Sequence, residues 1–482
     1  MRQYTVFIFP LILAGVLVTG CKKWLDVKPK TQVEQTRMLS TEGGYQDAMY
    51  GAYTIMGYPA VYGDNLTMSF LDVLAQRYDC QAKSGHTFYQ AAIYNYQDPS
   101  VKNRISNIWD SLYSAIANVN NVLANINKDK DLFVPGNYVL VKGEALGLRA
   151  FMHFDLLRLF APSYISGPAK PGIPYVTTVS GGVTPQYTVS AVLDSIIRDL
   201  TAADALLGGY KNIAPGQSDQ SYLPLANDWL NNRQSHFNYW AAEATLARVC
   251  LYKGDKVNAF LHASNVIGSG MFHFTTSSQI TVFKDRTYTW EHIFALSKYN
   301  LLNQINNYFQ SSGSGTSNMN ANNQLTNSYG NGGVVDQVYE IASGGVSDFR
   351  YAFGWQLSSS IYFPSKFWQD GLAGYYNNLV PLIRLPEMYY IAAESSDPAT
   401  ATGFLNKVRE NRGLSDLPAG LSQTVIQNEI FKEYQKEFYC EGQLFYYYKR
   451  LNLPQIRFSV VPGSDRIYVF PLPDAELQYG GH

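Results

Sequence analysis

Apolar residues recur every three or four positions through most of this chain, and the clearest case is KGEALGLRAFMHFDLLRLFAPSY, Lys142 to Tyr164. Two stripes run along it, Leu146, Ala150, Phe154, Leu157 and Leu148, Met152, Leu156, Leu159. That spacing predicts one helix, ending where Pro162 follows Ala161. Two stripes imply neighbours on both sides, and Arg149 and Arg158 leave no single wet face, so the helix is expected inside an all-helical stack.

The same period predicts a helix over Thr41 to Met56, with Tyr45, Ala48, Met49, Ala52 and Tyr53 on one side. A second follows along Ile105, Ile108, Trp109, Leu112, Ile116, Val119, Leu123 and Ile126. The turn Lys128 to Asn137, with Pro135-Gly136, joins that stripe to the central helix as a helical hairpin. Degraded copies pair Ser190 to Leu207 with His236 to Tyr252, and Ile383 to Ser395 with Thr400 to Arg412; Leu421 to Leu451 carries further helical runs. Ala259 and Ala263, after the Ala244 to Asp255 run, suit close helix crossing. The expected fold is mainly α, with irregular tetratricopeptide-like hairpins forming a scaffold and long loops inserted between them. Gly57 to Tyr96 is one such loop region, and Met271 to Val380 is the largest insert. Within it, Ser311 to Gly333 is too polar and glycine-rich to build a core.

EALGLRAFMHFDLLRLFAPSY resembles the central signature of the SusD/RagB family of outer-membrane nutrient-binding lipoproteins, close to GEAxFLRAxxYFDLVRLFG. Further blocks agree: WLDVKPKTQ, GGYQDAMYGAYTIM, LNKVRENRGL, KEFYCEGQLFYYYKRLN and the closing FPLPDAEL. Tyr448 stands where the family usually has an acidic residue. The resemblance implies a SusD-like N-terminal helical region over 41–270 and a C-terminal region with the insert over 271–482. It also implies a non-catalytic binder that passes a nutrient to a SusC-like TonB-dependent outer-membrane transporter. The implied ligand is a glycan or oligosaccharide, with peptide, as in RagB-type relatives, as the alternative.

The first twenty residues read as a lipoprotein signal peptide: Arg2, an apolar run from Tyr4 to Val18, then Val18-Thr19-Gly20-Cys21. Cys21 is the expected lipidation site, and residues 21–40 the lipidated tether. The expected location is the outer membrane, facing the cell exterior, although Lys22-Lys23 stand where surface-displayed relatives often carry an acidic cluster.

The chain has 482 residues, 46% hydrophobic and 16% charged, with a formal net charge of -1. That balance offers no electrostatic footing for nucleic acid. Its 37 Tyr suit flat, amphipathic ligand surfaces as well as helix interfaces. Cys80, Cys250 and Cys440 are too scattered for a metal site or a disulfide framework.

Enzymatic constellations are sparse. Glu291-His292 lacks the second histidine of HExxH, and no GxSxG or phosphate-binding glycine loop occurs. No cofactor or metal is expected. Arg149, Asp155 and Arg158 are better read as buried ion pairs than as catalytic groups. A glycosidase needs only two carboxylates at arbitrary sequence spacing, so Asp72, Asp79, Asp348 and Glu340 keep that alternative open; a free-standing helical scaffold is another. For a glycan binder the candidate ligand residues are Arg77, Tyr78, Asp79, Tyr94 and Tyr96 in the first loop region, and Tyr299, Asn300 and Tyr308 in the insert.

Overall fold

Helix α1 (Glu42–Met56) begins where the Thr41 hydroxyl accepts from the Gly44 amide at 3.1 Å, and it buries the five expected side chains. These coordinates are a computed structural model, which describes residues 38–480 apart from 181, 214–215, 217–226, 310–320, 331 and 370–376. The signal peptide, Cys21 and the tether to Gln35 lie outside the described residues.

Helix α2 (Pro99–Asn125) is capped by Asp98 and has Pro at its first position, where a missing N–H costs nothing. The central helix, α3 (Asn137–Phe160), starts five residues before Lys142, directly after Gly136 at φ +100°. Its charged residues are consumed by packing. Arg149 donates to both Asp199 oxygens, at 2.7 and 3.0 Å. Arg158 binds Asp155 through Nε at 3.0 Å and lies 3.6 Å above the Tyr446 ring. Two glycines one turn apart let neighbours close in: a Cβ on Gly147 would sit 2.1 Å from the Phe237 ring, and one on Gly143 2.7 Å from Leu207.

A hairpin of β1 (Pro171–Pro174) and β2 (Gln186–Thr188) leads into α4 (Val189–Leu207), followed by α5 (Tyr239–Lys253) and α6 (Lys256–Gly268). The expected hairpins form: α2 packs on α3 and α4 on α5, while α3 also packs on α4. The fold is mainly helical.

The insert departs from the loop expected there. Strand β3 (His292–Ser297) pairs antiparallel with β7 (Leu379–Arg384), and β4 (Asn327–Ser328), β5 (Trp355–Ser358) and β6 (Ile361–Pro364) form a sheet in the order β4-β6-β5; a short helix, α7 (Leu301–Tyr308), follows β3. Ile383 therefore belongs to a strand, and the helix expected from it begins only at Leu385. A run of five apolar residues closed by Arg384 and buried throughout has no periodicity to separate strand from helix. The β3/β7 pair faces α3: Phe294 meets Phe151 edge-on at 5.6 Å and Phe237 at 5.5 Å.

Helices α8 (Leu385–Glu394) and α9 (Pro398–Glu410) form the late hairpin, with α10 (Gln423–Glu437), α11 (Gln443–Arg450) and α12 (Asp474–Tyr479) closing the chain. Tyr448 is buried, its hydroxyl accepting from the Arg457 amide at 3.1 Å. Where β7, α10 and residue 412 converge, Arg384 and Arg412 are fully buried among Glu291, Glu437 and Glu441. Cys80, Cys250 and Cys440 are free and buried; burial pushes the Cys440 thiol up to about 12.

Candidate functional site

The end of the β3/β7 ladder carries a polar and aromatic surface. The Lys298 amide donates to the Asn378 carbonyl at 2.7 Å, one step beyond the strand, and the chain then turns at Asn300 in the left-handed region, φ 59°. Asparagine tolerates that conformation better than most residues. Tyr299 is thereby lifted off the sheet and is 86% exposed.

Side chains draw the loop after α1 to this turn. Lys298 Nζ donates to the Gly57 carbonyl at 3.3 Å. Asp64 accepts from Gln304 Nε2 at 2.7 Å and from the Tyr308 hydroxyl at 3.0 Å. Burial raises the Asp64 carboxyl to about 6, against the lowering effect of the Ser69 and Tyr308 hydroxyls and of Arg104 and Lys298. Arg104 donates to Asn65 Oδ1 at 3.1 Å and lies over the Phe88 ring, whose edge meets Tyr308.

Beside Leu301 the surface sinks into a shallow hollow lined by Arg286, Trp368, Gln369, Asn377 and Asn378. Trp368 is half-buried, its indole N–H donating to the Phe309 carbonyl at 2.9 Å, and Gln369 Nε2 donates to Asn378 Oδ1 at 3.2 Å. The ring is held by its edge. Sequence does not group these residues with Tyr299, some seventy positions away, although Phe367-Trp368-Gln369 and Asn377-Asn378 share the aromatic and amide composition of the Tyr299-Asn300 loop.

Of the expected ligand residues, the structure gathers Tyr299, Asn300 and Tyr308 here. The first loop region has a different role. Tyr78, Tyr94 and Tyr96 are buried, their hydroxyls donating to the carbonyls of Met68, Leu74 and Ile467 at 2.9, 2.8 and 2.6 Å. Arg77 is buried too, its guanidinium 3.5 Å from the Tyr439 ring centre and bonded to the Gln435 carbonyl. Asp79 accepts from Ser328 N and Oγ at 2.6 and 2.7 Å, fastening β4. Burial removes ring faces from solvent, so the four buried residues are corrected from ligand contacts to supports of the loop. A tyrosine whose hydroxyl finds a carbonyl is at home in a core, and sequence alone does not tell that use from the other.

The carboxylates that kept a glycosidase open are engaged individually. Asp72 accepts the Cys440 and Gly442 amides, and burial raises it to about 7. Asp348 pairs with Arg350, and Glu340 with Lys432 and Lys436. Glu291 is held by Arg412 and Arg384. His292 donates from Nε2 to the Thr287 carbonyl, 2.8 Å away, and burial pushes its pKa down to about 3. Among the described residues, no group of three or more His, Cys, Asp or Glu is placed to hold a metal. What the Trp368 surface offers chemically is rings, amides and cations.

Residues 23–251 match the family model described as starch-binding associating with outer membrane, and residues 291–469 match the model of the SusD family. The chain belongs to the SusD family. Solved structures of this fold include a SusD superfamily protein from Bacteroides thetaiotaomicron, 21% identical, covering 91% of this chain and 98% of that one with a TM-score of 0.66. A SusD-like carbohydrate binding protein from Bacteroides vulgatus is 16% identical over 91% and 96%, TM-score 0.61. A laminarin binding SusD-like protein is 18% identical over 92% and 98%, TM-score 0.62. No curated protein matches. The two SusD-family spans take in α1 to α5 and the β3 to α11 region, so the Trp368 surface falls within the second, with Gly57 and Asp64 contributed by the first.

Proposed function

We propose that this SusD-family chain is a lipid-anchored outer-membrane protein that binds a glycan at the Tyr299–Trp368 surface without reacting with it, and delivers it to a TonB-dependent transporter. The observation that carries the reading is the pairing of Tyr299, 86% exposed and two residues before Leu301, with the hollow that Leu301 lines, which holds the half-buried ring of Trp368 among amides. Rings stack on sugar C–H faces, and Asn and Gln both donate to and accept from hydroxyls. Asn300, Asn377, Asn378 and Gln369 supply those groups. The laminarin-binding relative supports a β-glucan as the first ligand to try. Lipidation at Cys21 would hold the chain at the membrane, and among the described residues no helix is long and apolar enough to cross one. A tethered binder cannot itself carry ligand through a bilayer, which is the case for a separate pore.

Calorimetric titration with laminarin oligosaccharides, other glycans and peptides tests the binding. Tyr299→Ala with Trp368→Ala should weaken the best ligand by roughly 1–3 kcal/mol, at about 0.5–1.5 kcal/mol per ring, measured at a temperature where circular dichroism shows the variant still folded. An unchanged affinity would remove this surface from the binding site, a peptide as the tightest ligand would replace the glycan, and turnover of ligand would replace binding by catalysis. Extraction in mild detergent should recover a large β-barrel protein with this chain; recovery of the chain alone would count against delivery to a transporter.

A further inference from the structure

A second cavity, of about 340 Å³, opens between α2, the loop joining β1 to β2, and α12. It shares no lining residue with the Trp368 hollow. Its volume lies within the range of ligand pockets and suits one or two sugar units. The innermost side chains are Trp109 and Tyr113, ring centroids 4.8 Å apart, and Trp109 is braced edge-on by Phe160 at 4.8 Å. The Tyr113 hydroxyl donates to the Pro174 carbonyl at 2.8 Å, so this ring too is held before any ligand arrives.

The wall is of the opposite character. Thr178, Ser180 and Thr184 line it from the loop, each with a hydroxyl that can donate and accept. Glu476 lines it from α12, tucked beneath Gly480 so closely that a Cβ there would lie 2.5 Å from its Oε1. Its field reaches Tyr113, whose hydroxyl is raised chiefly by burial and further by this carboxylate. Tyr479 stands at the cavity, 70% exposed, where burial in the core does not account for its ring.

We infer that this cavity is a second carbohydrate site, one that takes a neutral mono- or disaccharide unit between the Trp109–Tyr113 floor and the Tyr479 ring. The choice of ligand class rests on the glycan-binding reading above; the site itself rests on its own geometry. Carbohydrate units present C–H faces and hydroxyls together, and this lining pairs rings with hydroxyls and one acceptor carboxylate. The carboxylate also sets a preference: a uronic acid would bring a second negative charge against Glu476.

Calorimetric titration of the full chain with laminaribiose, maltose, cellobiose and glucuronic acid tests the inference. At least one neutral disaccharide should show two classes of site, and glucuronic acid should not occupy the second. Val183→Trp fills the cavity from a position 60% exposed, so the core is left alone, and it should abolish the second class only. Tyr479→Ala should weaken that class about tenfold and leave the melting temperature unchanged. Tyr299→Ala with Trp368→Ala should weaken the other class, by about 5- to 150-fold, and leave this one. A single class lost in the Trp368 variant and kept in Val183→Trp would overturn the second site while the first stands. A single class lost in Val183→Trp alone would uphold the second and reject the first. No binding of any of the disaccharides by the wild-type protein would overturn the second site outright.

Discussion

Arg412 grips Glu291 with two hydrogen bonds, 2.8 and 2.7 Å long, although 121 residues separate them and both side chains are fully buried. Their neighbours repeat the pattern: Arg384 reaches Glu291 at 3.0 Å and Glu437 at 2.7 Å. The knot ties the start of β3 to the end of β7, to the turn after α9 and to α10. Neutral or charged, none of these groups meets solvent, so each depends on the others.

Removing one partner should therefore cost more than removing a surface pair. Arg412→Met leaves Glu291 and Glu437 short of a cation and is expected to destabilise the fold by about 3–5 kcal/mol. Urea unfolding followed by circular dichroism measures it. A loss under about 1 kcal/mol, the scale of an exposed pair, would show that the knot contributes little to stability.

The Asp64 carboxyl predicts a pH dependence of definite sign. Burial raises it in the folded state to about 6, against about 3.9 unfolded, so the folded chain binds the extra proton between those values. Its contribution is full below pH 4 and is lost as pH rises through about 6, by roughly 3 kcal/mol at most. Asp64→Asn mimics the protonated form. The stability of wild type relative to Asp64→Asn should fall from pH 4 to pH 7, and a flat difference would contradict the burial effect.

Tyr78 and Tyr96 are predicted to behave as core residues. Each bonds a backbone carbonyl, so Tyr78→Ala and Tyr96→Ala should each cost about 3–5 kcal/mol, as for other large aromatic truncations. Tyr299→Ala, at a position 86% exposed, should stay within about 0.5 kcal/mol of wild type. Thermal melts of the three variants make the comparison, and equal losses would reject the distinction.

Cys21 is predicted to carry the lipid. Mass spectrometry of the mature protein should find its N-terminus at a diacylglyceryl-modified Cys21, and Cys21→Ser should release the chain from membranes. An unmodified Cys21 would end this reading.

Periodicity by itself determined the helical hairpins and the buried character of α3, because an apolar stripe at 3.6-residue spacing has only one way to leave water. It also made Arg149, Asp155 and Arg158 interior, since no wet face remained for them. The strands β3 and β7 were beyond it. A short run such as Leu379 to Ile383, buried on all sides, has no alternating polar residue to mark its conformation, and its partner strand lies about eighty residues away. The use of each tyrosine was decided only by tertiary structure. Tyr96 and Tyr299 have the same side chain and similar loop surroundings in sequence, yet one hydroxyl meets the Ile467 carbonyl in the core and the other ring stands in solvent. A tyrosine is apolar along its ring and polar at its tip, so either place satisfies it. Which one it occupies depends on chain segments hundreds of residues away.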